Sequence, residues 1–298
     1  MCGTCGCGSE EGGAKIVMPN AGKKHQHGDH SHSHGHDHSH DDHHHDHEGH
    51  HHHHHAHSHD GHHHHHHEHD HDHSHSHKTV LEVERDILQQ NEIMAARNRG
   101  YFDAKDVFAL NLVSSPGSGK TSLLERTLKD LKDKISFYVI EGDQQTLNDA
   151  NRIAALNVPV IQINTGKGCH LESDMIHDAV KKLHIQNNSV LMIENVGNLV
   201  CPSMFNLGEH KRVVIVSTTE GDDKPIKYPD MFHTSDICII NKIDLAPYLD
   251  TNVETLRNNA LQVNPNLKFF EVSATKGTGM EQWYDWLEQQ VQVISENH

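Results

Sequence analysis

The sequence predicts an α/β fold with a mainly parallel sheet, helices on both faces and a disordered amino-terminal tail. Three observations carry this prediction. Apolar strand-like runs alternate with helical patterns from residue 79 onward. A glycine-rich loop of the phosphate-binding type stands between the first of these strands and a helix. The composition changes abruptly after residue 77, where a histidine-rich stretch gives way to an ordinary globular sequence.

The histidine-rich stretch divides the chain into three parts. Residues 25–77 hold 31 of the 37 histidines, together with mostly Asp, Ser, Gly and Glu. They contain one Ala and no other aliphatic or large apolar residue, so burial of apolar surface cannot offset the entropy of ordering. We therefore predict a metal-binding start and linker at 1–24, a disordered metal-storage segment at 25–77 and a folded domain at 78–298.

Charge and hydropathy argue against two classes of partner, nucleic acids and membranes. Residues 1–77 carry 12 acids and 3 lysines, and the remainder carries 30 acids and 22 bases, for a net charge of −17. A chain without a basic patch is not expected to bind nucleic acid. No apolar run approaches the ~20 residues that span a membrane, and the polar start has no signal-peptide core. We expect a cytoplasmic protein, in which six cysteines favour metal binding or catalysis over disulfides.

The first seven residues hold three cysteines, Cys2, Cys5 and Cys7, in a Cys-x-x-Cys-x-Cys pattern rich in glycine. Three thiolates and a fourth nitrogen donor form a compact site suited to square-planar nickel or tetrahedral zinc. A redox pair normally stands at a helix start in a thioredoxin-like context, which this sequence lacks. Metal binding is the favoured interpretation, and a redox role is the alternative.

The histidine segment has three interpretations. Two six-histidine runs suggest a cloning tag, but they lie within a longer pattern interleaved with Asp and Ser. A solvated spacer is the second interpretation. A reservoir for nickel, zinc or copper is the third and the favoured one, because neutral imidazoles suit these metals and a flexible acidic chain offers many exchangeable sites.

The folded domain reads as alternating strands and helices. An amphipathic pattern predicts a helix over 79–102, and the end of the chain predicts another over 279–294. Apolar runs predict strands at 108–113, 135–140, 158–163, 189–194, 212–217, 236–241 and 268–273. Buried strands alternating with helices are typical of a parallel sheet covered on both faces.

The loop SSPGSGKTS follows the first of these strands and opens a helix. Its strict form has Gly where this chain has Ser114, so the motif is a variant in the expected strand–loop–helix context. Backbone N–H groups of such a loop cradle phosphates, its Lys reaches the β and γ oxygens, and its Thr holds Mg²⁺. The predicted nucleotide-binding residues are Gly117, Ser118, Gly119, Lys120, Thr121 and Ser122.

Two later motifs predict guanine as the base. NKID follows one strand, and SAT follows the last strand about 30 residues later. The Asp244 carboxylate can accept the N1–H and 2-amino protons of guanine, a donor pair that adenine lacks. Asn241 and Lys242 would brace this pocket, and Ala274, after Ser273, would donate its N–H to the guanine oxygen.

Two acids end strands near the predicted phosphates. Asp143 lies in EGDQQT after the second strand, and Glu194 lies in IENVG at the end of the fourth. We expect Asp143 to contact Mg²⁺ or the attacking water, and Glu194 with Gly197 to sense the γ-phosphate, although either acid alone is compatible with a structural role. The predicted catalytic residues are Lys120, Asp143 and Glu194.

The other cysteines fall into two groups. Cys169 and His170 follow the third strand, and Cys201 follows the fourth, so all three lie at the edge of the sheet that holds the nucleotide. We predict a metal site from these residues, completed by a second chain across a two-fold axis. Cys238 lies within a strand and is predicted to be a buried apolar residue. The scattered histidines are predicted to be surface or hydrogen-bonded residues, namely His177, His184, His210 and His233.

Taken together, these motifs resemble the HypB family of hydrogenase nickel-incorporation GTPases. The resemblance rests on MCGTCGCG, LVSSPGSGKT, EGDQQT, NTGKGCH, IENVGNLVCP, TEGDDKPIKYPDMF and NKID, and covers residues 1–7 and 79–294. It implies a P-loop fold of the class that includes signal-recognition, MinD/BioD-like and urease-accessory GTPases. It also implies slow GTP hydrolysis to GDP, coupled to nickel delivery into the large subunit of [NiFe] hydrogenase.

The same resemblance implies site residues and partners. Cys2, Cys5 and Cys7 match a tight nickel site, and Cys169, His170 and Cys201 match a weaker nickel or zinc site. Lys224 and Lys227 match lysines that reach the nucleotide across a GTP-dependent homodimer. The implied partners are a HypA-type nickel metallochaperone, a SlyD-type peptidyl-prolyl isomerase that carries nickel, and the precursor of the hydrogenase large subunit.

Two alternative functions stay open at this point. A urease-type accessory GTPase also pairs a His-rich start with a phosphate loop, but it lacks the N-terminal cysteine pattern and the GKGCH loop. A metal buffer with a secondary GTPase would explain residues 1–77 and leave NKID without a role.

Overall fold

The computed structural model describes residues 14–19, 79–144 and 147–296. Cys2, Cys5, Cys7 and the histidine segment 25–77 lie outside these residues. The predictions made for them, and for the boundaries between the three parts of the chain, stay predictions.

The described residues form one sheet of eight strands. Its spatial order is β1-β4-β3-β5-β2-β6-β7-β8, and every pairing is parallel except that of β1 with β4. In chain order the strands are β1 (Lys15–Val17), β2 (Val107–Ser114), β3 (Phe137–Asp143), β4 (Val160–Asn164), β5 (Ser189–Glu194), β6 (Lys211–Ser217), β7 (Ile237–Asn241) and β8 (Lys268–Glu271).

Eight α-helices lie between and after these strands. They are α1 (Val80–Asp103), α2 (Lys120–Leu131), α3 (Asn148–Ala154), α4 (Ser173–Leu183), α5 (Lys224–Lys227), α6 (Pro229–His233), α7 (Val253–Val263) and α8 (Met280–Glu296). Short 3₁₀ helices cover Cys201–Met204, Thr218–Glu220 and Ile243–Tyr248. Within the described part of the chain, no helix combines the length and apolarity needed to span a membrane.

The alternation of side chains along the strands builds a core on each face of the sheet. Leu110 and Leu112 of β2 pack in a cluster with α2, α3 and α8. Val107 and Ala109 of the same strand pack in a second cluster with α1 and α4. A third cluster joins β6 and β7 to α6 and α7. The predicted mainly parallel sheet with helices on both faces is therefore confirmed.

Strand β1 was not predicted. Its three residues, in the segment assigned as a linker, pair antiparallel with the outer strand β4, with Lys15 opposite Asn164 and Val17 opposite Gln162. Ile16 packs against the cluster formed by α1 and α4. The pairing covers the outer edge of β4, which would otherwise present unpaired N–H and C=O groups to other chains.

Helix α1 forms where the sequence predicts it, but a different face is buried. Thr79 and Glu82 form a capping box at its start. Three of the apolar residues that suggested the helix, Val80, Val83 and Ile87, are exposed. The buried face instead contains Asn91, Ala95, Asn98 and Phe102. Both asparagines donate side-chain hydrogen bonds to backbone carbonyls of the loop before β6, so polar contacts help to attach this helix.

Candidate functional site

The loop between β2 and α2 has the backbone shape of a phosphate cradle. Gly117 and Gly119 have φ of +80° and +91°, a region that favours glycine. A Cβ atom at Gly119 would also stand 2.5 Å from the Nδ2 atom of Asn241. A glycine-rich turn that leads into a helix start is the kind of loop whose backbone N–H groups bind anions.

The NKID segment braces this loop. Asn241 Nδ2 donates to the Ser118 carbonyl at 3.0 Å, and Lys242 Nζ donates to the Gly117 carbonyl at 2.6 Å. Asn241 Oδ1 accepts from the N–H of Lys242 at 2.8 Å and from that of Ala274 at 3.2 Å. The motif residues predicted to form the base pocket therefore contact the predicted phosphate loop directly.

Asp244 and Ala274 differ in how well they fit the predicted guanine pocket. Asp244 Oδ1 is buried and has no hydrogen-bond partner among the described residues, as expected of an acceptor that awaits a guanine donor pair. The N–H of Ala274, predicted to donate to guanine, is held by Asn241 Oδ1. A guanine oxygen would have to share or replace that contact. Ser273 Oγ accepts from Lys276 and shapes the turn below the pocket.

Lys120, Thr121 and Glu194 are brought together where phosphate and Mg²⁺ are expected. Lys120 Nζ lies 3.3 Å from Glu194 Oε1 and donates to the backbone carbonyl of Asn195. Thr121 Oγ1 donates to Glu194 Oε1 at 2.6 Å. Glu194 Oε2 is buried without a partner in the described chain. Ser122, also predicted to contact nucleotide, lies half-buried in the first turn of α2.

A third acid, Glu141, joins Asp143 and Glu194. Glu141 stands opposite Glu194 in the register of β3 and β5, and Asp143 follows two residues later, so both β3 side chains project from the same face. Burial, together with the charges of Glu194 and Asp143, raises the pKa of Glu141 to about 9. The sequence analysis missed Glu141, although its period-two spacing from Asp143 in EGD was a usable signal.

These oxygen donors fit a magnesium ion. A hydroxyl from Thr121 and carboxylates from Asp143 and Glu194 are the hard ligands that Mg²⁺ accepts alongside phosphate oxygens and water. The unpartnered oxygen of Glu194 is consistent with such a role. When bound, the ion would neutralise charge that develops on the phosphates.

The predicted domain metal ligands also come together. One ligand atom from each of Cys169, His170 and Cys201 lies within 4.8 Å of the others. His170 and Cys201 are buried, and Cys169 is half-buried. Two thiols and an imidazole suit nickel or zinc. The turn after β4 brings Cys169 and His170, which are neighbours in sequence, to the same point as Cys201 within one chain.

Two residues that the sequence analysis missed orient His170. The Phe205 ring stacks on the imidazole with centroids 3.9 Å apart and planes 25° from parallel. Glu172 Oε1 lies 3.3 Å from Nε2, and Cys169 Sγ lies 3.6 Å from Nδ1. Nδ1 therefore faces the Cys169 thiol, whereas Nε2 lies close to the Glu172 carboxylate but makes no hydrogen bond within the described residues. Neither contact has a signal in the sequence.

Cys238, His184, His210 and His233 behave as predicted, whereas His177 does not, because its Nε2 is buried without a hydrogen-bond partner in the described chain. Cys238 is buried among the apolar residues of β6, β7 and α7, and this burial raises the pKa of its thiol well above the ordinary range. His210 accepts from the Ala109 N–H and lies 2.9 Å from Asp103. His177 is half-buried, and His184 and His233 are exposed.

The two lysines assigned to cross-dimer contact have partners within the chain. Lys224 Nζ lies 3.7 Å from Glu220 Oε2, which accepts from the Ser115 hydroxyl of the phosphate loop. Lys227 pairs with Asp223 at 2.6 Å. Lys224 is therefore linked to the nucleotide loop of its own chain through Glu220, a residue that the sequence analysis did not select.

Comparisons with known proteins agree with this geometry. The CobW/HypB/UreG nucleotide-binding domain family matches residues 108–271. The hydrogenase maturation factor HypB of Rhizobium leguminosarum is 59% identical over 209 residues, which are 70% of each chain. HypB of Archaeoglobus fulgidus superposes with a TM-score of 0.64 at 37% identity, covering 68% of this chain and 99% of that one. HypB of Helicobacter pylori, solved in complex with nickel, gives a TM-score of 0.64 at 39% identity over 68% and 95%. The chain belongs to the HypB family of hydrogenase maturation factors.

Proposed function

We propose that the protein is a GTP-hydrolysing nickel chaperone that stores nickel and delivers it to the large subunit of [NiFe] hydrogenase. One observation carries this proposal: a single short segment serves both sites. Glu194 contacts Lys120 and Thr121 of the nucleotide loop, and seven residues later Cys201 supplies a metal ligand. Family membership supports hydrolysis and hydrogenase maturation. The nickel complex of the Helicobacter pylori relative supports nickel as the cargo.

The hydrolysis step follows from the residues around the phosphate loop. The backbone N–H groups of the loop and the Lys120 ammonium would hold the β and γ phosphates in line for attack. Asp143 and Glu194 would orient the attacking water and hold the magnesium ion. Positioning and charge stabilisation of this kind supply most of the acceleration in phosphoryl transfer.

The metal site would respond to the nucleotide through the segment between Glu194 and Cys201. Gly197 lies against Pro116 of the phosphate loop, where a Cβ atom would be 3.5 Å from the proline. An ordered segment in the GTP state would favour a homodimer whose two chains complete the ligand sets of Cys169, His170 and Cys201. Hydrolysis would loosen the segment and release nickel to the next protein.

The rest of the chain supplies the cargo. Cys2, Cys5 and Cys7 would hold one nickel ion tightly, and residues 25–77 would hold several more with faster exchange. A HypA-type metallochaperone and a SlyD-type isomerase are the proposed exchange partners in the cytoplasm. The large-subunit precursor is the proposed final acceptor.

A combined enzymatic and metal assay tests this function. The full-length protein should hydrolyse GTP slowly, ATP should compete poorly, and nickel affinity should differ between GDP and a non-hydrolysable GTP analogue. Coupling of ~1–3 kcal/mol, the usual range, corresponds to a difference of roughly 5- to 150-fold. Equal hydrolysis of ATP and GTP would contradict the assignment of guanine as the base. Identical nickel isotherms in the two nucleotide states would contradict the coupling between nucleotide and nickel.

A matched replacement tests storage separately from delivery. Residues 25–77 are exchanged for an equally long Gly/Ser/Asp segment that keeps the length and the acidity. Nickel stoichiometry should fall by several ions, one tight site should remain, and hydrogenase maturation should persist in cells supplied with ample nickel. Loss of maturation under ample nickel would favour a buffer over a delivery GTPase.

A further inference from the structure

Asn195 connects the nucleotide loop to the proposed metal site through hydrogen bonds of its backbone and its side chain. It follows Glu194 at the end of β5, and its side chain is fully buried. Its backbone carbonyl accepts from Lys120 Nζ of the phosphate loop. Its side-chain Oδ1 accepts from the N–H of Leu171 at 3.1 Å, and Leu171 is the residue after the ligand His170. One residue therefore contacts the phosphate-binding lysine and the metal-binding loop.

The Asn195 amide is held in one orientation. Oδ1 also accepts from the N–H of Val196 at 2.9 Å, and Nδ2 donates to Asn111 Oδ1 at 3.2 Å. Because two backbone donors face Oδ1, the amide cannot turn over without losing both. Within the described chain the Leu171 N–H donates to Asn195 alone, so movement of Asn195 leaves a buried donor unpaired unless Leu171 follows.

The same buried network reaches the second metal-binding loop. Asn111 Nδ2 donates to Glu209 Oε1 at 3.0 Å, and Glu209 pairs with Arg212 at 2.9 Å. Arg212 donates to the carbonyls of Ser203 and Phe205, at 3.0 and 2.8 Å. These two residues follow Cys201, and the Phe205 ring stacks on His170. Both loops that carry metal ligands are thus attached to a network in which Asn195 is the member next to the phosphate loop.

The position of Lys120 makes this network sensitive to nucleotide. Its ammonium group lies at Asn195 and Glu194 in the described structure. A phosphate-loop lysine contacts the β phosphate of GDP and GTP and the γ phosphate of GTP alone, so GTP should draw the Lys120 ammonium group away from Asn195 more strongly than GDP does. Withdrawal of Lys120 would remove a charge-assisted hydrogen bond from the Asn195 carbonyl and would let Asn195 shift relative to Leu171.

We propose that Asn195 is the positioning residue that transmits the nucleotide state from Lys120 to the metal ligands Cys169, His170 and Cys201. This inference rests on the proposed function, since it names the path of the coupling assumed there. It predicts that a change at Asn195 alters the ratio of nickel affinities between nucleotide states. A residue that only stabilised the fold would lower stability and leave that ratio unchanged.

The test uses the full chain with Cys2, Cys5 and Cys7 changed to Ala. In this parent, thiolate-to-nickel charge-transfer absorption reports only the domain site, because the histidine segment contains no thiol. Nickel is titrated with GDP and with a non-hydrolysable GTP analogue. The parent should show an affinity ratio in the 5- to 150-fold range, and Asn195→Ala should reduce the ratio to within about twofold of unity.

Asn98→Ala is the matched control. Asn98 is also a buried asparagine that holds loop carbonyls, those of Ser173 and Leu207, but it makes no contact with the phosphate loop. It should lower the melting temperature and keep the parent's ratio. An Asn195→Ala protein that keeps the parent's ratio overturns the inference. A parent ratio of one overturns both this path and the coupling, whereas GTP hydrolysis and nickel binding would then still stand.

A measurement on the unmutated protein covers the case in which Asn195→Ala does not fold. Hydrogen exchange of the Leu171 amide is followed with GDP and with the GTP analogue. The exchange rate should differ between the two states by about fivefold or more, because a shift of Asn195 weakens the hydrogen bond that protects this amide. Equal rates in both states overturn the inference.

Discussion

The side of the sheet with the proposed guanine site and the side with the proposed metal site are assembled in different ways. On the guanine side, the phosphate loop and the NKID segment contact each other through groups within the motifs themselves, such as Asn241 with the Ser118 carbonyl. On the metal side, the ligands lie on two loops whose positions depend on residues outside any motif, such as Arg212 and Phe205. We therefore expect nucleotide binding to be lost mainly when motif residues are changed. Metal binding should also be weakened when residues outside the motifs, which hold the ligand loops, are changed.

The largest expected effect is on the nucleotide side. Lys120→Ala should reduce GTP turnover by about 10²–10³-fold or more, because it removes a charge aimed at the transferring phosphate. Steady-state phosphate release measures the loss. Lys132→Ala is the control, since Lys132 lies exposed after α2 and its ammonium group donates, among the described residues, only to the Leu156 carbonyl. Comparable turnover in the two variants would contradict the assignment of the phosphate loop.

The base pocket offers a second test. Asp244→Asn replaces the acceptor for the guanine donor pair and should lower GTP affinity by about 10²-fold or more, since sites built for a hydrogen bond discriminate strongly. Xanthosine triphosphate carries an oxygen where guanine carries the 2-amino group, so it should bind the variant better than GTP does. Competition binding with both nucleotides measures the change in base preference. An unchanged preference for GTP would contradict the assignment of Asp244 to the base pocket.

Substitutions of two buried cysteines test the proposed metal site against the apolar core. Cys201→Ser should lower nickel affinity of the domain site by at least about 100-fold, the upper range seen for weaker second-sphere changes, with little change in stability. Cys238→Ser should keep nickel affinity and cost about 1–3 kcal/mol, because it buries a hydroxyl in an apolar cluster. Nickel titration and thermal unfolding separate the two. Similar behaviour of the variants would remove Cys201 from the site.

The smallest expected effect concerns the buried acid of β3. The folded-state pKa of Glu141 is raised to about 9, so the folded protein binds one more proton than the unfolded chain between pH 5 and 9. The free energy of unfolding should therefore fall as pH rises through this window. In Glu141→Gln this decrease in the free energy of unfolding should be smaller by about 1–3 kcal/mol. Denaturant unfolding in EDTA measures it, and Glu84→Gln, on the exposed face of α1, should leave the pH slope unchanged.

Much of the fold was predictable because period-two and helical patterns repeat along the chain. The strand at 189–194 was placed with the bounds that the structure has, and the other predicted strands differ by a few residues at their ends. Strand β1 was missed because three residues, KIV, carry no periodicity. The buried face of α1 was misread because asparagines that hydrogen-bond to backbone carbonyls look like surface residues in a sequence.

The sequence alone determined which chemistry is predicted for this protein. The phosphate loop, NKID and the Cys-His and Cys loops are contiguous motifs whose residue types indicate the ligands they would bind, so local order in the chain was sufficient for that prediction. Only the tertiary structure decided how the sites are connected. Glu141 faces Glu194, Phe205 covers His170, and Asn195 joins Lys120 to Leu171 through contacts between residues far apart in sequence. Such contacts depend on strand register and burial, which the order of residues does not state.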